Sequence, residues 1–251
     1  MAISVNYFST LMICMILLLP ALCYGTQSYD SKATFYKTSD GKGTPSGACG
    51  YGEYGRNVND GLVTAASWKL YKNGVGCGAC YQVRCKDKAL CSDVGVKVKV
   101  TDSGEGPGTD FILSSDAFAK MAKHPKLAHM LFPKGVVDVD YKRVSCKYGN
   151  LIIKVNEHSN YNGYLAILLL NNGGYADILA VEIYEEKSHK WIAMRRSYGA
   201  VFDLSNPPKG NLKLKIQIKE DGKTKWVQSD KTVIPDHWKA GSAYETDIQI
   251  P

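Results

Sequence analysis

The sequence is short of the features that mark most other classes of protein. Beyond its first 25 positions no stretch of about 20 uninterrupted apolar residues occurs, so no membrane span is expected in the body of the chain. Phenylalanine numbers only 6 against 16 tyrosines and 24 glycines, which favours β structure with half-polar aromatic surfaces over a helical bundle. No Gly-x-Ser-x-Gly elbow, His-Glu-x-x-His pair, phosphate loop or dinucleotide fingerprint is present, which removes the commonest hydrolase, zinc-protease and nucleotide-binding readings. His124, His129, His158, His189 and His237 are scattered and offer no ligand pair at helical or strand spacing. There is no Asn-x-Ser/Thr acceptor, so N-glycosylation is not expected. Internal repeats and low-complexity tracts are missing too.

What is there describes an exported globular chain. The 251 residues are 45% hydrophobic and 22% charged, enough for one large domain or two of ordinary size. Leu11 to Leu22 form an apolar run ending in Cys23-Tyr24-Gly25, so residues 1–25 read as a secretory signal cut after Gly25. It departs from the usual pattern in having no Lys or Arg before Lys32. Six cysteines follow: Cys49, Cys77, Cys80, Cys85, Cys91 and Cys146. An even number in an exported chain implies three disulfides, with fifteen possible connectivities. Cys85 and Cys91 are an easy local closure. The spacing of Cys77 and Cys80 also suits zinc, but no second close pair of that kind exists, so no metal and no cofactor is expected.

The cysteines stop at Cys146, and the charge changes there as well. Residues 26–150 carry 18 Lys and Arg against 12 Asp and Glu, whereas residues 151–251 carry 13 against 12. Two domains are therefore expected, 26–148 and 149–251. A basic exported surface favours polyanions, acidic polysaccharides among them. No basic cluster lies within a nucleic-acid motif, so that partner is discounted.

Both halves read mainly as strands. Val96 to Val100 alternates valine and lysine, and Leu212 to Lys219 alternates in the same way, with the lysines expected on a solvated face. Glu220-Asp221-Gly222-Lys223 is a hairpin signal before a strand over Thr224 to Val227. Further strands are expected at Val136–Val144, Leu151–Val155, Tyr164–Leu170 and Ile178–Tyr184. Two short helices are expected, Thr64–Lys72 and Ser114–Lys123, each ending at a helix-stop signal.

Several motifs then resemble the expansins of plant cell walls, most closely the expansin-like B group. They are Ala33-Thr34-Phe35-Tyr36, Gly47 to Gly52, Cys77-Gly78-Ala79-Cys80-Tyr81, Val100-Thr101-Asp102 and Asp138 to Cys146. The second half continues with Tyr164-Leu165-Ala166, Trp191 to Met194, Tyr198-Gly199-Ala200 and Val233 to Lys239. The resemblance implies a double-psi β-barrel similar to family 45 endoglucanases, followed by an immunoglobulin-like β-sandwich similar to pollen allergens and carbohydrate-binding modules. It implies disulfides Cys49–Cys77, Cys80–Cys146 and Cys85–Cys91. It also implies one long glycan-binding surface that uses Thr34, Phe35, Tyr36 and Asp102 in the barrel with Tyr164 and Tyr198 in the sandwich. The partner would be a wall polysaccharide (cellulose, xylan or an acidic matrix glycan), and the protein a monomer.

The chain departs from that family in one chemical respect. Expansins keep an acid in a His-Phe-Asp motif, but Asp110-Phe111-Ile112 puts Ile112 at its place. Hydrolysis with inversion needs an acid and a base flanking the scissile bond. Asp102 alone cannot fill both roles, and Asp110 would lie two strand residues from Ile112, roughly 6.5–7 Å away. No catalytic residue is therefore expected. Phe35, Tyr198 and Phe202 stand where relatives commonly carry Trp, which implies weaker stacking on sugar rings. Trp191, Phe202 and Trp238 are expected in the core. A non-hydrolytic wall-binding protein is the first reading. The others are a weak endoglucanase using Asp102 and Asp110, and a wall or defence protein acting through a protein partner.

Overall fold

The computed structural model describes residues 27–251, so the signal segment expected at 1–25 lies outside the described residues. Among them, no helix is long and apolar enough to cross a membrane. Six strands close a barrel: β1 (Tyr29–Phe35), β2 (Val63–Ala66), β3 (Cys80–Cys85), β4 (Val96–Ser103), β5 (Phe111–Leu113) and β6 (Val137–Arg143). Around the barrel they run β1-β5-β2-β4-β3-β6, and the β1/β5 and β2/β4 pairs are parallel. Alternation decides which side chains fill it. Val96, Val98 and Val100 of β4 are buried in the barrel with Ala33, Phe111, Leu113 and Val139.

The expected lysine face splits. Lys97 is exposed, but Lys99 is 1% exposed, because the second domain covers that end of β4. The helix expected over Thr64–Lys72 is also corrected. Thr64 to Ala66 are strand β2, with all side chains buried, and only Trp68–Tyr71 (α2) is helical. Lys72 and Asn73 then take left-handed φ values of 50° and 53° and stop it. A fully buried strand has no alternation to betray it, which is why pattern alone read it as helix. The second expected helix is present as α3 (Ser115–Lys120), where the Ser114 hydroxyl caps the Ala117 N–H. Two further short helices, α1 (Glu53–Asn57) and α4 (Ala128–Leu131), lie in the connections.

The second half is a sandwich of two antiparallel sheets. One contains β11 (Arg195–Tyr198), β12 (Val201–Ser205), β8 (Tyr164–Leu170), β7 (Ile152–Val155) and β15 (Ala243–Glu245), in that order. The other runs β10 (Lys190–Ala193), β9 (Asp177–Glu185), β13 (Lys213–Glu220), β14 (Lys223–Gln228). The β13–β14 turn at Asp221-Gly222 has φ of 47° and 77°, the paired positive values of a tight hairpin. Leu165, Ile167 and Leu169 meet Val181, Ile183, Leu214 and Ile216 between the sheets. The alternate residues of β8, Ala166, Leu168 and Leu170, face the other way and join the barrel's core cluster.

The disulfides are Cys49–Cys77, Cys80–Cys146 and Cys85–Cys91. Cys77 and Cys80 thus belong to two different bridges, and the zinc alternative falls with them. Phe202 and Trp238 are buried, as expected. Trp191 is not. It lies on the outer face of the four-stranded sheet, paired with Tyr184, and its ring centre is 4.8 Å from the Lys215 ammonium. The Trp226 ring covers the same ammonium at 4.6 Å, and Glu182 neutralises it at 2.7 Å.

Candidate functional site

Strand register assembles the barrel half of the site. Thr34, Ile112, Ala65 and Asp102 are successive partners across β1, β5, β2 and β4, so they form one row across the outer wall. At the usual strand spacing the row is about 14 Å long. An irregularity in the β2/β4 pairing brings Asp102, not Thr101, opposite Ala65. Its Oδ1 accepts the Ala48 N–H at 2.6 Å and the Ser103 N–H at 2.8 Å. Gly47 packs closely here: a Cβ would stand 3.0 Å from Thr101 O and 3.2 Å from the Asp102 carboxyl carbon. Thr34 donates its hydroxyl to Gly135 O at 2.8 Å. The Tyr36 phenol is pushed well above its ordinary pKa, first by burial and then by the nearby Asp102 charge, so it stays a neutral hydrogen-bonding group.

Phe35 is turned inward relative to Thr34. Its ring packs against Phe118 and Phe132, with centroids 4.8 and 4.9 Å away, because residues 33 and 35 of β1 face inward while Thr34 faces out. Half-buried, it supports the row from beneath.

The sandwich half is built from β8, β11 and β12. The Tyr164 hydroxyl donates to Asp203 Oδ2 at 2.9 Å, and Arg195 grips the same carboxylate with two hydrogen bonds of 3.0 and 2.7 Å. The Arg195 guanidinium holds the Asp203 carboxyl below its ordinary pKa, while burial and then Asp203 push the Tyr164 phenol up. This support for Tyr164 was not foreseen, since residues 164, 195 and 203 meet only through sheet pairing. Tyr198 sits at a bulge and is 51% exposed.

The segment Ala48-Cys49-Gly50 ties the two halves together. Ala48 N–H holds Asp102, its carbonyl accepts the Tyr71 hydroxyl at 3.1 Å, and Cys49 O accepts the Ala200 N–H at 3.0 Å. Gly50 lies against Tyr198 and Val201, with no room for a side chain. Behind it the domains are clamped by polar groups. Lys99 Nζ donates to Asn172 O at 2.7 Å and Oδ1 at 2.9 Å, and Arg143 bonds Gly174 O and Asp177. Burial, aided by the Arg143 charge, pulls the Lys99 ammonium down to about 7.

Asp110 is otherwise engaged. Its two oxygens accept the hydroxyls of Ser67 at 2.6 Å and Ser31 at 2.8 Å. From the pairing, its α-carbon is on the order of 12 Å from that of Asp102. Ile112 occupies the middle of the row, so the row itself contains a single carboxylate, Asp102.

A family model described as the expansin C-terminal domain matches residues 151–235, and one described as lytic transglycolase matches residues 63–141. Expansin-like B1 of Arabidopsis thaliana is 49% identical over 237 residues, covering 94% of each chain. The chain belongs to the expansin family. Expansin-like B1 of Oryza sativa subsp. japonica is 40% identical, over 88% of this chain and 87% of that one. The barrel-plus-sandwich fold of this expansin is that of a Clavibacter michiganensis expansin in its apo crystal structure (TM-score 0.65, 20% identity, covering 89% of this chain and 98% of that one). A mutant of that bacterial expansin, in complex with cellohexaose, superposes with a TM-score of 0.64 at 20% identity over the same shares of the two chains.

Proposed function

We propose that this expansin is a secreted wall protein that binds cellulose or a matrix polysaccharide along one face and disturbs its packing without hydrolysis. Thr34, Tyr36, Asp102, Tyr164 and Tyr198 are its contact residues. The observation that carries this reading is the continuity of the face: one segment, Ala48 to Gly50, touches both the barrel carboxylate and the sandwich's exposed tyrosine. A polymer can span such an open face. The cellohexaose complex of the bacterial expansin supports a glucan as the occupant. The lone carboxylate in the row supports binding without cleavage, because inversion needs an acid and a base about 6.5–9.5 Å apart.

The test is retention of the purified mature protein on wall fractions across a salt series, beside a Tyr164→Ala/Tyr198→Ala variant. Loss of retention in the variant, with little effect of salt on the wild type, is expected from stacking. Retention that salt abolishes and the variant keeps would reduce the interaction to charge attraction and overturn the site. Release of reducing sugar that disappears in Asp102→Asn would restore the endoglucanase reading.

A further inference from the structure

The row Thr34–Ile112–Ala65–Asp102 does not end at a flat wall. Beside Ile112 the chain leaves β4 through Gly104, where a Cβ would lie 3.2 Å from Ile112 Cδ1. It then forms the loop Glu105 to Asp110, which returns to β5. This loop and the start of α2 enclose an open cleft of about 680 Å³, lined by Ser67, Lys69, Glu105, Pro107 and Asp110 among others. That volume is within the range of pockets that hold small molecules, and the open shape suits a chain passing through.

Trp68 stands in the chain between two of the lining residues, Ser67 and Lys69. The residue is 67% exposed, more than any other Trp, Tyr or Phe among the described residues, while Leu70 of the same helix is buried. Its backbone N–H points to Glu105 Oε2 at 3.4 Å, so the loop and the helix share this edge. α2 is four residues long and carries only one buried side chain, so the fold does not require an indole at its first position. An exposed indole offers a broad apolar face with one polar N–H, the surface on which a sugar ring stacks.

We infer that this cleft is a further glycan subsite, with Trp68 as its stacking residue and an uncharged β-linked glucan chain as its occupant. The inference rests on the reading of the barrel row as glycan-binding and extends it past Ile112. Charge selects the occupant. Glu105 and Asp110 face the cleft against the single cation Lys69, whose Nζ is 3.8 Å from Asp110. Two carboxylates to one ammonium repel a uronate, whereas sugar hydroxyls donate to the carboxylates and accept from the lysine. The indole supplies a broad apolar face for the axial C–H groups of a pyranose.

The experiment measures binding of cellohexaose and of an oligogalacturonate to the full chain, by calorimetry and by tryptophan fluorescence. Wild type, Trp68→Ala, Trp68→Phe and the Tyr164→Ala/Tyr198→Ala variant are compared. The expected result is cellohexaose binding that falls about tenfold in Trp68→Ala and recovers in part in Trp68→Phe. A fluorescence change on binding is expected to vanish with Trp68 and to persist in the tyrosine variant. Equal cellohexaose affinity in wild type and Trp68→Ala overturns this subsite and leaves the tyrosine face standing. Trp68-dependent binding of oligogalacturonate in preference to cellohexaose overturns the uncharged occupant. A wild type that binds no neutral glucan brings down both readings.

Discussion

The two domains reach stability by different routes. The barrel holds all three disulfides, four short helices and long irregular connections, and its core cluster continues into Ala166, Leu168, Leu170, Ala200 and Val201 of its neighbour. The sandwich has no cysteine and fills its own interior with Leu, Ile and Val side chains from two facing sheets. The barrel therefore depends on covalent links and on its partner, while the sandwich depends on buried area. The physical reason lies in the loops. Residues 38–61 carry Gly47, Ala48 and Gly50 of the candidate site with little sheet to hold them, and Cys49–Cys77 pins that segment to the barrel. A site on loops needs such a constraint to keep its geometry.

Reduction should break this contrast most strongly. Closing loops of 28 and 66 residues is worth about 4 kcal/mol each in the chain-entropy account. Under reductant, calorimetry should show the barrel unfolding early while the sandwich transition stays in place. A single transition that shifts as one would mean that the domains cannot unfold separately.

Gly199→Ala should come next. Gly199 has φ of 47°, and a Cβ there would lie 2.4 Å from Ala48 O and 2.6 Å from Cys49 Cα, both backbone atoms that cannot swing aside. A loss of about 2–4 kcal/mol is expected, with the domains uncoupled in thermal unfolding. An unchanged midpoint would show that the interface shifts freely.

Lys99 sharpens the comparison through pH. In the folded chain its pKa is pulled down to about 7, whereas an unfolded lysine keeps the ordinary 10.5. Between those values the unfolded chain binds more protons, so this residue's contribution makes stability rise as pH increases from about 7 towards 10.5. Below pH 7 the lysine is protonated in both the folded and the unfolded chain, so the slope disappears. The stability difference between wild type and Lys99→Met, measured by denaturant titration from pH 6 to 10, should therefore move in favour of the wild type as pH rises. A difference flat with pH would show that Lys99 stays protonated throughout, held by its bonds to Asn172.

Ser114→Ala is the smallest of these effects. Loss of the cap on Ala117 N–H, together with the hydroxyl's bond to Gly61 O at 2.7 Å, should cost about 1–2 kcal/mol. It should appear in the barrel transition and leave the sandwich one untouched.

Much of the architecture was legible because it was periodic. The strands β4, β6, β8, β9, β13 and β14 lie where alternation or apolar runs placed them, and the Asp221-Gly222 turn follows from its residues. β2 was missed because Thr64 to Ala66 are buried on both faces and show no period. At the site, Thr34, Phe35, Tyr36, Asp102, Tyr164 and Tyr198 came from motif resemblance, which does not say that the Phe35 ring packs on Phe118 and Phe132. Trp68 carried one available signal, an indole between the serine that precedes a very short helix and a lysine within it. Reading Thr64 to Lys72 as one helix hid it.

The sequence by itself determined the two-part β architecture, the six paired cysteines and the isoleucine at position 112, since these follow from local pattern and residue identity. Only the tertiary structure decided that Lys99 is buried, that Asp110 is held by two serines far from Asp102, and that Ala48 to Gly50 joins the two tyrosine- and carboxylate-bearing halves. Each of these depends on which strands pair and which domain surface covers which side chain. Neither is encoded in the neighbours along the chain.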